Sequence, residues 1–337
     1  MKIPNRILNL LPTKHIQQTL SDEEQKYAIL IKDVSKQFKK QLILKKITIK
    51  VNSGEIHAFF GPNGAGKTTT IKSLISALKI NSGNIYINGL SYTTKEAKKM
   101  IGYIPELARF PKRITAWKYL LSMAKISGLK PQEAKNKVEE MLKKYDLWDF
   151  CNQDPNSFSS GMKKKILLIQ ALLNDPKILI LDEPAANLDP TARTELFNEL
   201  KKLSELKKTI FISSHILSEL QNFIDSFTIL RKGEVVYSNK INDEETYIAI
   251  LSSNNAKLRK LLVELNYQVE QKNKFLLLKK NNEKEVNLNQ IQELAFKNNI
   301  IINSLKPYKI DLQEIYEQFV MEKNKNKGGW IKLIVII

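Results

Sequence analysis

The chain has 337 residues, 42% of them hydrophobic and 26% charged, which suits a globular protein with room for one large domain and a smaller one. No apolar run reaches the roughly 18 residues that a membrane-spanning helix needs, and the single cysteine, Cys151, excludes an intrachain disulfide. The net charge of +19 raises nucleic acid as a partner, but only six of the 54 basic residues are arginine, the side chain that base and phosphate recognition favours.

The first part of the chain predicts an α/β domain. From Tyr27 to about Asn239, apolar runs alternate with helical patterns, which is typical of a mostly parallel sheet covered by helices. We expect this domain to span residues 27–240, with a helical subdomain at about residues 109–175. Residues 1–26 precede it as an extension to which the sequence assigns no role.

The clearest motif is a glycine-rich loop between an apolar strand and a helix-forming run at residues 70–78. It fits the pattern G-x-x-x-x-G-K-[ST], whose glycines let successive backbone N–H groups approach a phosphate. The following helix adds partial positive charge, Lys67 supplies a full charge to the β- and γ-phosphates, and the Thr68 hydroxyl can ligate Mg²⁺. The alternative, a glycine-rich turn with an accidental lysine, is disfavoured by the filled positions and the flanks. The residues of this loop are Gly61, Pro62, Asn63, Gly64, Ala65, Gly66, Lys67, Thr68 and Thr69.

A helix start follows at Phe158–Lys165. Ser159 or Ser160 can cap a helix whose first N–H groups and dipole face outward, and Gly161 again permits close approach. Such a helix start is suited to an anion, and the alternative is a plain helix cap.

Two later strands end in candidate catalytic side chains. The apolar run Ile178–Leu181 ends in Asp182 and Glu183, at the strand end where ligands bind in open α/β sheets. We expect Asp182 to hold Mg²⁺ and Glu183 to face the attacking water, although a strand can also simply end in surface acids. The run Thr209–Ser213 leads to His215, which can hydrogen-bond the γ-phosphate and position the water or Glu183; capping or surface exposure is the alternative. The other histidines, His15 and His57, are interpreted as structural or surface side chains.

The insert Arg109–Phe150 carries two apolar stripes at helical spacing, which taken alone indicate ordinary core faces. The stripes comprise Ile114, Trp117, Leu120, Leu121 and Ala124, then Val138, Met141, Leu142 and Tyr145.

After residue 240 the pattern changes to β-α-β-β-α-β, a small ferredoxin-like α+β unit. No catalytic constellation occurs in it, so we interpret residues 241–322 as a regulatory or dimer-supporting domain. It closes with a predicted helix at residues 311–322, followed by a flexible tail at residues 323–337 that ends in an apolar stretch. The other predicted elements are strands at residues 247–251, 267–270, 275–278 and 300–305 and helices at residues 256–265 and 285–298.

Together these segments resemble the ATP-binding cassette (ABC) family across about residues 27–240, in order and in spacing. The phosphate loop alone would indicate only a P-loop NTPase, whereas the signature segment separates this family from kinases and GTPases. The resemblance implies a RecA-like core with a helical subdomain. The matching segments are Phe38 at the A-loop that stacks on adenine, Gly61–Thr69 at Walker A, Gly102–Glu106 at the Q-loop, Phe158–Met162 at the LSGGQ signature, Ile178–Glu183 at Walker B, Ala186–Asp189 at the D-loop and His215 at the switch histidine.

Five positions depart from the family's pattern. The signature has Phe158 for leucine, Ser160 for the first glycine and Met162 for glutamine, while Glu106 replaces the Q-loop glutamine and Asn187 a D-loop glycine common in related exporters. ATPases that serve small exporter membrane subunits look similar, so the departures indicate a subgroup. Ser160 still leaves backbone N–H donors available, and Glu106 keeps an oxygen for Mg²⁺ or water, although its charge could change the coupling.

The resemblance implies a head-to-tail dimer that holds two ATP molecules, with each phosphate loop facing the partner's signature segment. Glu183 would then be the base or water-orienting residue, assisted by His215, and Mg²⁺ would be held by Thr68, Asp182 and Glu106. The residues that would act across the interface are Ser159, Ser160, Gly161, Met162 and Asp189.

The implied function is ATP hydrolysis that powers a separate membrane permease, in an exporter, from the cytoplasmic face of the cell membrane. The insert and the Q-loop would form the groove for the permease, and the dimer partner would be a second copy or a similar subunit. We interpret the spread lysines as a solvated surface, with an anionic membrane face as the next alternative and nucleic acid last.

Two rival functions are set against this one. A soluble cassette ATPase acting on ribosomes or nucleic acid usually carries two cassettes or a long coiled insert, whereas this chain has one Walker A motif and no heptad run. A non-hydrolysing regulator is disfavoured by Glu183 and His215.

Overall fold

The computed structural model describes residues 20–216, 220–240, 246–272, 274–279 and 287–309, together with Tyr316. The predictions for residues 1–19, including His15, for the closing helix apart from Tyr316 and for the tail at residues 323–337 lie outside the described residues. Within the described ranges, no helix has both the length and the apolar composition needed to cross a bilayer.

Strands and helices alternate through the large domain and continue in the C-terminal unit. The strands are β1 (Tyr27–Phe38), β2 (Gln41–Asn52), β3 (Ile56–Phe60), β4 (Ser82–Ile87), β5 (Leu90–Ser91), β6 (Ile101–Ile104), β7 (Ile178–Leu181), β8 (Thr209–Ser214), β9 (Ser226–Arg231), β10 (Glu234–Lys240), β11 (Thr246–Ser252), β12 (Val269–Lys272), β13 (Phe275–Lys279) and β14 (Ile302–Lys309). The helices are α1 (Lys67–Leu74), α2 (Lys95–Lys99), α3 (Ala116–Ile126), α4 (Pro131–Lys144), α5 (Ser160–Leu172), α6 (Pro190–Glu205), α7 (Asn255–Glu264) and α8 (Leu288–Lys297).

A six-stranded sheet in the order β10-β9-β3-β8-β7-β6 forms the centre of the large domain. Strands β9, β3, β8, β7 and β6 run parallel, and only β10 is antiparallel to its neighbour. Every residue of β3, β7 and β8 is buried, because helices or a second sheet cover both faces. The carboxyl ends of these strands therefore meet at one edge, where the chain continues into the phosphate loop, Asp182 and His215.

A separate antiparallel sheet, β2-β1-β4-β5, packs against this central sheet and was not anticipated from the sequence. Strands β1 and β2 form a long hairpin that turns between Phe38 and Gln41. Its inward side chains, among them Ile29 and Ile49, join Phe59 and Phe211 in one buried cluster with α1. The connection between β1 and β2 is too short for a parallel crossover, so this hairpin is an antiparallel addition to the predicted, mostly parallel sheet.

Helix α1 also differs from the run predicted at residues 70–78. It begins at Lys67, directly after the loop glycine, and ends at Leu74. It ends early because Ser76 takes a left-handed φ of 62°, and the N–H groups of Ala77 and Leu78 turn back to the carbonyl of Lys72.

Helices α3, α4 and α5 form the helical subdomain on the other side of the sheet. Leu120 and Ala124 of α3 and Val138 and Leu142 of α4 are fully buried in the cluster that continues to the central sheet. The predicted stripes thus provide core packing. Thr115 begins α3 by accepting a hydrogen bond from Lys118 N–H at 3.2 Å.

The C-terminal unit has the element order β-α-β-β-α-β. Its antiparallel sheet has the order β12-β13-β11-β14, and α7 and α8 cover one face through a core that includes Leu258, Leu262, Leu278 and Ile291. Tyr316, beyond this unit, packs against the core of the large domain. An α/β fold with a small C-terminal α+β domain is therefore confirmed.

Candidate functional site

The phosphate loop joins β3 to α1 in a conformation that glycine makes possible. Gly66 has a φ of 114°, and a Cβ there would lie 2.8 Å from Leu44 Cδ2. Gly64 has a φ of 79° with open space beside it. Because Gly66 has no side chain to cap α1, the first N–H groups of the helix are left for a ligand, as an anion site requires.

Lys67 is the first residue of α1, and its ammonium group lies inside the loop. The side chain is 7% exposed, its Nζ donates to the Gly61 carbonyl at 2.6 Å, and it lies 3.2 Å from Glu183 Oε1. Its Nζ also donates to the Pro62 carbonyl at 3.5 Å. The loop thus holds a buried cation whose partners are two backbone carbonyls and one carboxylate.

Asp182 and Thr68 bring two oxygen donors together at the end of β7. Asp182 is 2% exposed and accepts from Ser213 Oγ at 2.9 Å, and Thr68 Oγ1 lies 3.5 Å from Asp182 Oδ1. Carboxylate and hydroxyl oxygens are the ligands that Mg²⁺ prefers, with water and phosphate oxygens completing its coordination. No group of three His, Cys, Asp or Glu side chains that could hold a metal occurs among the described residues. The two donors therefore fit Mg²⁺ bound together with a phosphate, rather than a metal site made wholly of protein.

Glu183 lies between the lysine and the histidine. Its Oε2 is 2.7 Å from His215 Nδ1, its Oε1 faces Lys67, and its backbone has a φ of 44°, which is strained for a residue with a side chain. Its N–H donates to Ser213 Oγ at 3.0 Å. Ser213 therefore holds both acids in place, a role that sequence reasoning missed because it had read this residue only as the end of a strand.

Lys67, Thr68, Glu183 and His215 line an open cleft of about 360 Å³. A second cavity of about 220 Å³ shares Glu183, Ala186 and His215 with it and extends toward Arg193. Sequence reasoning missed Ile43, from the start of β2, which also lines the cleft. The cleft is lined by Ile43, Pro62, Asn63, Gly64, Gly66, Lys67, Thr68, Thr69, Glu106, Glu183, Ala186 and His215.

Glu106 lies at the mouth of this cleft, and a second lysine, Lys164, holds its backbone. Lys164 Nζ donates to the carbonyls of Pro105 at 3.0 Å and of Glu106 at 2.7 Å. Burial lowers the pKa of Lys164 to about 8, while the negative charges of Glu106 and Asp182 act in the opposite direction. Burial, with the same two carboxylates, raises the pKa of Tyr103 to about 12. The carboxylates of Glu106 and Asp182 thus raise the pKa values of both Lys164 and Tyr103. Sequence reasoning did not single out Lys164.

Phe38 is not among the residues that line the cleft. It lies at the end of β1 with 43% of its surface exposed, and Lys36 Nζ sits 4.9 Å from its ring centroid. Its predicted contact with adenine therefore stays a prediction.

The signature residues and Asp189 cap or begin two neighbouring helices outside the cleft beside their own phosphate loop. Ser159 caps α5 by accepting from Met162 N–H at 3.2 Å, and Asp189 caps α6 by accepting from Ala192 N–H at 2.9 Å. A Cβ on Gly161 would lie 3.2 Å from Ala192 Cβ, so the two helix starts are neighbours. Ser159, Ser160, Gly161, Met162 and Asp189 are absent from the residues that line the described cleft.

His57 has the structural role expected for it. It is 1% exposed in β3, and its ring nitrogens lie 2.7 Å from Ser226 Oγ and 3.0 Å from Thr228 Oγ1. Burial lowers the pKa of His57 to about 3, so the ring is neutral.

Comparison with known proteins finds one family in this region. A family model described as "ABC transporter" matches residues 44–186. The chain is 46% identical over 214 residues to a putative ABC transporter ATP-binding protein of Mycoplasma pneumoniae, covering 62% of this chain and 66%, just under two thirds, of that relative. It is 36% identical over 249 residues to the bacitracin transport ATP-binding protein of Bacillus licheniformis, covering 73% of this chain and 76% of the relative.

A solved structure shares this fold. It is described as the dimeric, post-hydrolysis state of an ATP-binding cassette bound to ADP and phosphate. The match has a TM-score of 0.57 and 25% sequence identity, and it covers 63% of this chain and 98% of the solved chain.

Proposed function

The chain belongs to the ABC transporter family of ATP-binding proteins, and from this premise we propose that it is the ATP-hydrolysing subunit that powers a separate membrane permease in an exporter. The observation that carries the proposal is the convergence of Lys67, Thr68, Asp182, Glu183 and His215 at one edge of the central sheet. A cation, two Mg²⁺ donors and a carboxylate held by an imidazole are the groups that phosphoryl transfer to water needs.

Each of these side chains has a role in the proposed reaction. Lys67 and the first N–H groups of α1 bind the phosphates, and Thr68 and Asp182 would hold Mg²⁺, which supplies positive charge to phosphate oxygens when bound. Glu183 orients the attacking water and accepts its proton while the bond from the γ-phosphorus to the bridging oxygen breaks, giving ADP and phosphate. His215 keeps the Glu183 carboxylate in position through the 2.7 Å contact.

We further propose that two copies, or this chain and a similar subunit, bind ATP between them. The signature residues and Asp189 do not line the cleft of their own chain, which supports a role opposite the partner's phosphate loop. The dimeric cassette bound to ADP and phosphate supports the same arrangement. Because we propose that the chain powers a permease, we also propose that it lies at the cytoplasmic face of the membrane, with the helical subdomain and Glu106 toward the permease.

The direction of transport is proposed from the sequence departures. The name of the bacitracin transport protein supports a role in transport, and the sequence departures at Ser160 and Glu106 support the exporter subgroup. We retain residues 27–240 as the cassette and residues 241–322 as an accessory domain that supports the dimer.

The test is Mg²⁺-dependent ATP hydrolysis by the full chain, with Glu183→Gln as the key variant. We expect Glu183→Gln to bind ATP, to lose hydrolysis and to form a dimer in the presence of Mg²⁺ and ATP, as measured by light scattering. Glu195→Gln, at a half-exposed position on α6, is the matched control and should hydrolyse ATP like the wild type. Hydrolysis by Glu183→Gln at the wild-type rate would refute the assigned base, and a monomer at saturating ATP would refute the dimer. Co-purification with a polytopic membrane protein tests the permease.

A further inference from the structure

Lys164 is a buried lysine near the cleft that has no role in the reaction proposed above. It lies on the first turns of α5, and 6% of its surface is exposed, whereas its neighbours Lys163 and Lys165 are partly exposed. Lys165 pairs with Glu195 at 3.3 Å near the surface. A buried ammonium group is costly unless polar partners replace its water, so its partners indicate its role.

Those partners belong to the segment after β6. Lys164 Nζ donates to the carbonyls of Pro105 at 3.0 Å and Glu106 at 2.7 Å, across 58 or more residues of chain. Charge-assisted hydrogen bonds of this kind are stronger than neutral ones. Lys164 therefore joins the start of α5 to the backbone that carries the Glu106 side chain into the cleft.

Charge provides a second, independent observation. Glu106 and Glu183 line a cleft proposed to take a triphosphate, which is itself strongly anionic, and the Asp182 carboxylate lies 3.5 Å from the Thr68 hydroxyl of the same cleft. A glutamine at position 106, as in the Q-loop pattern that the sequence resembles, would carry one negative charge fewer there. Lys67 lies against Glu183, and Lys164 is a second buried cation, close enough to Glu106 and Asp182 to interact with both.

We propose that Lys164 is a positioning residue that ties the segment Pro105–Glu106 to helix α5 and offsets the charge of Glu106, so that this carboxylate keeps its place at the cleft. The inference rests on the proposed function, because it assigns Glu106 to the site of ATP hydrolysis. Helix α5 begins at the signature residue Ser160, which we propose faces the partner subunit. The Lys164 side chain then links that surface to the cleft of its own subunit.

The first test measures the tether in the nucleotide-free full chain by hydrogen–deuterium exchange. Lys164→Met keeps much of the apolar stem and removes the donor. We expect exchange of the peptide at residues 101–108 to become roughly tenfold faster in Lys164→Met, because two hydrogen bonds are lost. Lys165→Gln, on the same helix, is the matched control and should leave that peptide unchanged. Unchanged exchange in Lys164→Met would overturn the tether.

The second test is a double-mutant cycle on steady-state ATP hydrolysis. Lys164→Gln should lower kcat about 10- to 100-fold, as small misplacements near a reacting centre do, with the Kd for ATP within about threefold of the wild type. In the Glu106→Gln background the same substitution should have a much smaller effect, because the carboxylate it positions is gone. A merely structural role predicts that the two effects multiply, and that result, or a wild-type kcat in Lys164→Gln, would overturn the proposal.

Two results would call for a different comparison: variants of Lys164 that do not fold, and a wild-type chain that hydrolyses no ATP. If the methionine and glutamine variants do not fold, Lys164→Arg keeps the cation: turnover within a few-fold of the wild type supports the proposal, and lost turnover in a folded protein overturns it. If the wild-type chain, alone and with its permease, hydrolyses no ATP, the proposed function fails. The exchange experiment then decides the tether by itself.

Discussion

Replacing Ser213 by alanine is expected to weaken both the fold and the turnover, because one hydroxyl serves two neighbouring acids. Ser213 is fully buried, its Oγ donates to Asp182 Oδ1 at 2.9 Å, and it accepts from Glu183 N–H at 3.0 Å. A hydrogen bond to a charged group contributes about 1.5–3 kcal/mol and one between neutral groups about 0.5–1.5 kcal/mol. Together they give an expected loss of about 2–4.5 kcal/mol in the free energy of unfolding of the large domain.

Urea unfolding followed by tryptophan fluorescence measures this loss, since Trp117 and Trp148 pack edge to face within the same domain, with ring centroids 5.8 Å apart. The control is Ser122→Ala, an exposed serine on α3 whose hydroxyl donates to the carbonyl of Lys118 at 2.8 Å, and its effect should stay within about 0.5 kcal/mol. In the ATPase assay, Ser213→Ala should lower kcat about 10- to 100-fold, because Glu183 loses the partner of its strained backbone. Unfolding and turnover that both match the Ser122→Ala control would refute this account of the acid pair.

Three further predictions follow from the site and its surroundings. Lys67→Ala should abolish ATP binding, because the only cation within the phosphate loop is removed; unchanged affinity in a nucleotide titration would contradict the assignment. Ser160→Arg should block the ATP-dependent dimer while the monomer still binds nucleotide, and a loss of both would move the signature segment into its own chain's site. His57 has a pKa of about 3 when folded and about 6.5 when unfolded, so its contribution to stability is complete above pH 6.5 and falls as the pH drops toward 3. Wild-type protein should lose about 2 kcal/mol from this group between pH 7 and pH 5, and a His57→Gln variant whose unfolding free energy has the same pH slope would contradict it.

Motifs that are continuous in the chain were the part of the site that the sequence could predict. The phosphate loop specifies its own geometry through Gly64 and Gly66, and the acids follow directly from the buried strand β7, so Lys67, Asp182 and Glu183 meet at one edge of the sheet. Parallel strands end at the same edge, and the same rule brings His215 to Glu183.

Contacts between distant segments could not be predicted in this way. Ser213 was read only as a strand end, and Lys164 is one of three consecutive lysines, so nothing local shows that it alone is buried beneath residues 105 and 106. The antiparallel hairpin of β1 and β2 was missed for a related reason, because apolar runs are compatible with either strand direction and the short turn at Lys39 and Lys40 carries no glycine or proline.

The contact between Lys67 and Glu183 has a consequence for how tightly nucleotide is held. At 3.2 Å the two side chains already neutralise each other, so an arriving triphosphate competes with a carboxylate for the same ammonium group. The measured affinity is then the difference between two electrostatic attractions rather than the strength of one. Removing the negative charge at residue 183 leaves the Lys67 ammonium group available for the phosphates. Glu183→Gln should therefore bind ATP with a lower Kd than the wild type, although it no longer hydrolyses ATP.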